Sequence, residues 1–184
     1  AKVEKLYYDS LAVLNTKLGW LMFVNKFPRG MYLQEAKKSI AKIDFNAAMK
    51  SEGTAQIKAF IVDYPNDFYT SQAKAELEKR EYLEVEASPT ENNLELYLKK
   101  YPATQYKTVI QEKLATFYFE GIASSQSLSS IEFVIQKLNA FTSTADIKGI
   151  TDRVRLIAFK VEYTKVKEVD DLDLLNAFIK KYSY

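Results

Sequence analysis

A recurrence every 37 residues constrains this chain more than any other feature. The triplets Lys26-Phe27-Pro28, Asp63-Tyr64-Pro65 and Lys100-Tyr101-Pro102 stand one such period apart. The register extends well beyond them. Trp20, Ile57, Leu94 and Ile131 share one position, and Phe23, Phe60, Tyr97 and Val134 the next apolar one. Val24, Ile61, Leu98 and Ile135 follow, then Phe27, Tyr64, Tyr101 and Leu138. The four positions are i, i+3, i+4 and i+7, which is one stripe of a helix. A fifth copy, Leu175, Phe178, Ile179 and Tyr182, is displaced by seven further residues. Seven residues are about two helical turns, so the added heptad nearly preserves the facing.

A second, longer helix fills the rest of each period. Tyr32, Tyr69 and Tyr106 share a position, with Ala36, Ala73 and Ile110 four later. Ile40, Leu77 and Leu114 come four after those, and Phe45, Tyr82 and Phe119 beyond. Spacing by four is again a helix face, on which the small residue admits a neighbouring backbone and the aromatic closes the interface. The Pro ends each short helix. Gly30, Asp67 and Thr104 just after it read as N-caps of the long helices. Ser51, Ser88 and Ser125 precede the short helices, and Ser88-Pro89-Thr90-Glu91 reads as cap, first-turn Pro and capping-box Glu. The layout predicts a long helix near 2–13, then short helices near 16–27, 52–64, 89–101, 127–138 and 171–182. Long helices are predicted near 30–50, 67–87, 104–123 and 143–168, with a Ser-rich turn over 121–130. No strand-like alternation of useful length occurs.

Composition narrows the chemistry. The 184 residues contain no histidine and no cysteine. This removes His-dependent triads, Cys nucleophiles, the usual zinc sites, disulfides and histidine pH switching. Net charge is +2, low for a nucleic-acid binder of this size. Apolar runs such as Ala59-Phe60-Ile61-Val62 are too short to span a bilayer. The opening Ala1-Lys2-Val3-Glu4-Lys5 does not read as a signal peptide. Absence of cysteine fits the cytoplasm and the periplasm alike.

A helix pair cannot bury both faces alone, and stacking neighbours builds a continuous core. The expected fold is all-α: a right-handed α-α superhelix of about four to five helix pairs. One helical-repeat domain is expected over 1–184, with units about 16–50, 52–87, 89–123 and 127–168 and a partial one at 171–184. Neither end shows a strongly polar capping helix, so a segment of a longer array, or covered ends, is expected. The run Phe60 to Tyr69, followed by Ala73 and Leu77, resembles the bacterial tetratricopeptide-like repeats with a Tyr-Pro turn. Pro28-Arg29-Gly30-Met31-Tyr32, with Ala36 and Ile40, resembles them too. Such repeats occur in outer-membrane-assembly lipoproteins. The resemblance implies a bacterial protein, in the cell envelope or the cytoplasm. The period of 37 and the missing helix glycine (Ala41, Glu78 and Ala115 lie near its place) depart from the standard repeat, and no peptide-clamp residue is carried over.

The function expected is a non-catalytic protein-protein interaction scaffold that binds a peptide or protein partner without cofactor or metal. The alternative is a structural or assembly segment of a cell-envelope protein, self-associating through its ends. A glycosidase would need a paired, buried acid. The dense Glu76, Glu78, Glu81, Glu84, Glu86, Glu91 and Glu95 read instead as a solvated helix face with Lys74, Lys79 and Arg80. Basic clusters at Lys37, Lys38 and Lys42, at Lys99, Lys100 and Lys107, and at Lys148, Arg153, Arg155 and Lys160 carry no expectation of nucleic acid. By placement on the long helices, Lys38, Lys42, Glu78, Glu81, Tyr118 and Arg153 are the candidate surface readers. Tyr7, Tyr118, Tyr163 and Tyr184 are aromatics outside the repeat pattern, while Trp20 reads as core or end-capping.

Overall fold

The computed structural model describes residues 2–182, and these form ten α-helices and no strand. Tyr184, named above, lies outside the described residues. The helices are α1 (Lys2–Leu14), α2 (Lys17–Lys26), α3 (Leu33–Lys50), α4 (Ala55–Asp63) and α5 (Thr70–Ala87). They continue as α6 (Glu91–Lys100), α7 (Lys107–Ile122), α8 (Leu128–Asn139), α9 (Ala145–Lys167) and α10 (Leu172–Tyr182). Every helix expected from periodicity is present, with ends within about three residues of those anticipated. The chain divides into two compact units, Ala1–Glu84 and Val85–Tyr184, and the division falls within α5.

The first unit has two apolar clusters. Leu11, Trp20, Phe23, Ala36 and Ile40 form one, joined by Tyr7, Tyr8 and Tyr32. Phe45, Ala48, Ile57, Phe60, Ala73 and Leu77 form the other. Trp20 is core, as expected; its indole N–H donates to Asn15 Oδ1 at 3.0 Å. Tyr32 stacks on Tyr8 with ring centroids 4.6 Å apart, and Tyr69 stacks on Phe45 at 4.6 Å. Such offset pairs add to the burial of the rings themselves. In the second unit the buried set includes Leu94, Tyr97, Ile110, Leu114, Ile131, Val134, Leu138, Val154 and Phe178. Trp20, Ile57, Leu94 and Ile131, spaced 37 apart, are all at most 2% exposed. Burying each such side chain contributes about 1.5–3 kcal/mol.

Four N-cap assignments are corrected by the structure. Thr90, not Ser88, caps α6, accepting from the Asn93 N–H at 3.2 Å. The four residues Ser88 to Glu91 hold two good caps, and the second has the extended backbone and the reach to the N3 amide. Thr90→Ala is expected to lower stability by about 1 kcal/mol in urea unfolding, and Ser88→Ala by a few tenths at most.

Gly30, Asp67 and Thr104 are not N-caps either. Each sits in a turn before the long helix, its N–H donating to Phe27, Tyr64 or Tyr101 and its carbonyl accepting from Leu33, Thr70 or Lys107. The Asp67 carboxylate accepts from Tyr69 N–H at 2.9 Å, and the Thr104 hydroxyl from Tyr106 N–H at 3.2 Å. This is the side-chain-to-backbone turn available to Asp and Thr. Gly30 has no side chain to offer. There the buried Glu4 of α1 supplies the acceptor: Tyr32 N–H donates to Glu4 Oε1 at 3.0 Å.

The tyrosine hydroxyls serve as ties between helices. Tyr64 donates to Asp44 at 2.6 Å, and Tyr182 donates to Glu162 at 2.8 Å. In both, a carboxylate on a long helix accepts from a tyrosine twenty residues on, at the end of the next short helix. A lysine completes each: Lys17 on Asp44 at 2.6 Å and Lys181 on Glu162 at 2.8 Å. Burial and the Asp44 hydrogen bond push the Tyr64 phenol up from its ordinary value. The Glu162 hydrogen bond raises Lys181 above the usual lysine range.

Candidate functional site

The six residues anticipated as surface readers do not share one environment. Lys38 and Lys42 are exposed on α3, one turn apart. They line a concavity of about 500 Å3 with Asn66, Asp67, Phe68 and Tyr69. Glu78 and Glu81 are half-buried on α5, and Glu81 pairs with Lys58 at 2.9 Å. Arg153 is exposed on α9, its guanidinium 4.0 Å from the Phe119 ring centroid, where it covers an aromatic of α7.

Tyr118 corrects the expectation of a free surface aromatic. It is 6% exposed. Its hydroxyl donates to Glu95, and Lys137 lies 2.7 Å from Glu95 Oε1 and 4.3 Å from the Tyr118 ring centroid. Burial and the bond to Glu95 push the Tyr118 phenol up to about 12. Lys137 and Tyr118 hold the Glu95 carboxyl below its ordinary value. The three side chains therefore share α6, α7 and α8 as one hydrogen-bonded knot. Of the other off-pattern tyrosines, Tyr7 stacks on Phe23 and Tyr163 on Phe159, both at 6.0 Å.

The dense carboxylates are largely ion-paired: Glu76 with Arg80 at 2.8 Å, Glu86 with Lys113 at 3.3 Å, and Glu95 with Lys137. Arg80 is more than a solvated helix partner. It donates to the carbonyls of Met49, Ser51 and Gly53 at 2.6–2.8 Å. Among the described residues, no group of three or more acidic side chains is placed to hold a metal ion. Among them, too, no helix is long and apolar enough to cross a membrane.

A concavity of about 770 Å3 lies in the second unit, among α8, α9 and α10. Its floor is apolar: Ile135, Leu156, Ala158 and Phe159. Its rim is charged in both signs by Glu132, Asp152, Arg155 and Lys181. Lys181 bridges Glu132 at 3.2 Å and Glu162 at 2.8 Å, which fixes one edge of the rim. Periodicity marked none of these as a site, because Ile135 and Phe159 read as ordinary stripe or helix residues. An apolar floor with a mixed polar rim is the usual make-up of a partner-binding surface. Comparison with protein-family models and with curated proteins finds no match to this chain.

Proposed function

We propose that this chain is a non-catalytic scaffold that binds a peptide or protein partner. In this reading the ten helices stack as a right-handed solenoid of tetratricopeptide-like pairs with a 37-residue period, one repeat domain of a bacterial protein. The observation that carries it is the α8–α9–α10 groove, apolar at its floor and charged at its rim. Leu156, about half exposed on that floor, offers apolar area that a partner side chain would cover.

The test places a photo-crosslinking amino acid at Gln136, which lines the groove. A discrete crosslinked product is expected in cells of the source organism, and Leu156→Glu is expected to abolish it while leaving the circular dichroism spectrum unchanged. No product from the folded protein would overturn the reading.

A second reading, an assembly segment of a cell-envelope protein, is favoured by α10. Leu175 is 44% exposed, although the residues that share its stripe position are buried. Leu172 and Ile179 are exposed on the same face. Concentration-dependent sedimentation of the same sample, lost in Leu175→Glu, would favour self-assembly over a separate partner.

A further inference from the structure

We propose that the α3 surface of the first unit docks an acidic peptide segment carrying one aromatic or aliphatic side chain. The proposal rests on the scaffold reading above and names what the scaffold takes at a second surface. Two concavities of about 500 and 480 Å3 adjoin here, with Lys38 and Asp67 common to both. Lys42 lines the first and Lys37 the second. All three lysines are exposed, and none has an ion pair or hydrogen bond among the described residues.

The local acids do not neutralise them. Asp67 is turned to the Tyr69 N–H at 2.9 Å. Asp44, on the same helix, is taken by Lys17 and Tyr64. Glu35 lies three residues before Lys38 and makes no ion pair with it. Lys38 and Lys42 are thus a like-charged pair one turn apart, an arrangement that disfavours the isolated helix. An incoming carboxylate removes that repulsion, and the surface field draws such a group in.

The apolar half of the recognition is Phe68. It lines the first concavity and is 88% exposed, the most exposed aromatic of the described chain. Leu21 lines the second and is also exposed. A ring and an aliphatic side chain flanking unpaired ammonium groups match an acidic peptide that carries one apolar side chain. Single-stranded nucleic acid fits less well. Three cations over little more than one turn do not form a groove that tracks a phosphate backbone.

The test probes an array of short random peptides with the full 184-residue chain, as wild type and as the Lys38→Glu/Lys42→Glu double variant. Both positions are exposed, and circular dichroism checks that the variant folds. The wild type is expected to retain peptides enriched in Asp and Glu with one Phe, Trp or Leu. The double variant is expected to bind them at least about tenfold more weakly, and Phe68→Ala to weaken them as well. Retained peptides without acidic enrichment, equal retention by the double variant, or tighter binding of a single-stranded oligonucleotide would each overturn the proposal. Retention insensitive to the lysines but lost in Leu156→Glu overturns it and leaves the scaffold reading standing. An array that retains nothing overturns the proposal and leaves the scaffold reading to the crosslinking test.

Discussion

Replacing Arg80 with alanine is expected to cost about 3 kcal/mol, roughly 6–12 °C in Tm for a chain of this length. The guanidinium closes the C-terminal end of α3. Its Nη1 donates to the Ser51 carbonyl at 2.6 Å and the Gly53 carbonyl at 2.7 Å. Its Nη2 donates to the Met49 carbonyl at 2.8 Å, and Nε to Glu76 at 2.8 Å. The last carbonyls of a helix have no partner within it and carry its negative dipole end, so a fixed cation there acts through both hydrogen bonding and charge. Gly53 adopts a left-handed φ of 74°, which turns the chain so that its carbonyl joins the same fork. Lysine keeps the charge but cannot present a planar set of donors. Arg80→Lys is therefore expected to recover about half of the loss. Thermal unfolding followed by circular dichroism measures all three proteins, and equal stability of the alanine variant and wild type would reject this account.

The second large effect concerns Gly30. A Cβ there would stand 2.3 Å from Glu4 Oε1 and 2.9 Å from its Cδ. Gly30→Ala must expel the carboxylate, which strands the Tyr32 N–H, and is expected to cost about 2 kcal/mol. Glu4→Ala removes the same acceptor and is expected to cost about 1–2 kcal/mol. Aspartate at Gly30 would carry its own acceptor, as Asp67 does for Tyr69 at 2.9 Å. Gly30→Asp alone sets two carboxylates in one place and should be at least as harmful as alanine. Combined with Glu4→Ala it should return to within about 0.5 kcal/mol of wild type, a coupling that a double-mutant cycle isolates. Additive losses in that cycle would show that Glu4 is not serving as the turn's acceptor.

The helices were legible because two apolar stripes, one of the short helix and one of the long, repeat with few breakers and leave little room for another secondary structure. The turns were harder. Gly, Asp and Thr are all accepted at a helix N-cap, so Gly30, Asp67 and Thr104 suited that role by residue type. Their actual role is one turn earlier, and the choice between the two depends on backbone angles that composition does not carry. Tyr118 was misplaced for a different reason. It stands 37 residues after Glu81 and 74 after Asp44, both carboxylates, so an aromatic there broke the pattern and suggested exposure. In the structure it remains a partner in a hydrogen-bonded tie, with Glu95 supplying the carboxylate instead. The charges of Glu95 and Lys137, 42 residues apart, gave no local sign of that pairing. Lys38 and Lys42 were legible as surface residues, but not the exposed Phe68 beside them, since a residue next to a stripe aromatic ordinarily reads as turn.

The borrowed acceptor at Gly30 also bears on the order in which contacts can form. Asp67 reaches an amide two residues ahead, and so does Thr104. Such a loop closes within a fluctuating chain at little entropic cost. Glu4 reaches an amide 28 residues away. The turns that lead into α5 and α7 can therefore take shape early and alone. The turn that leads into α3 becomes complete only after α1 has docked, so the two kinds of turn report on different moments of folding.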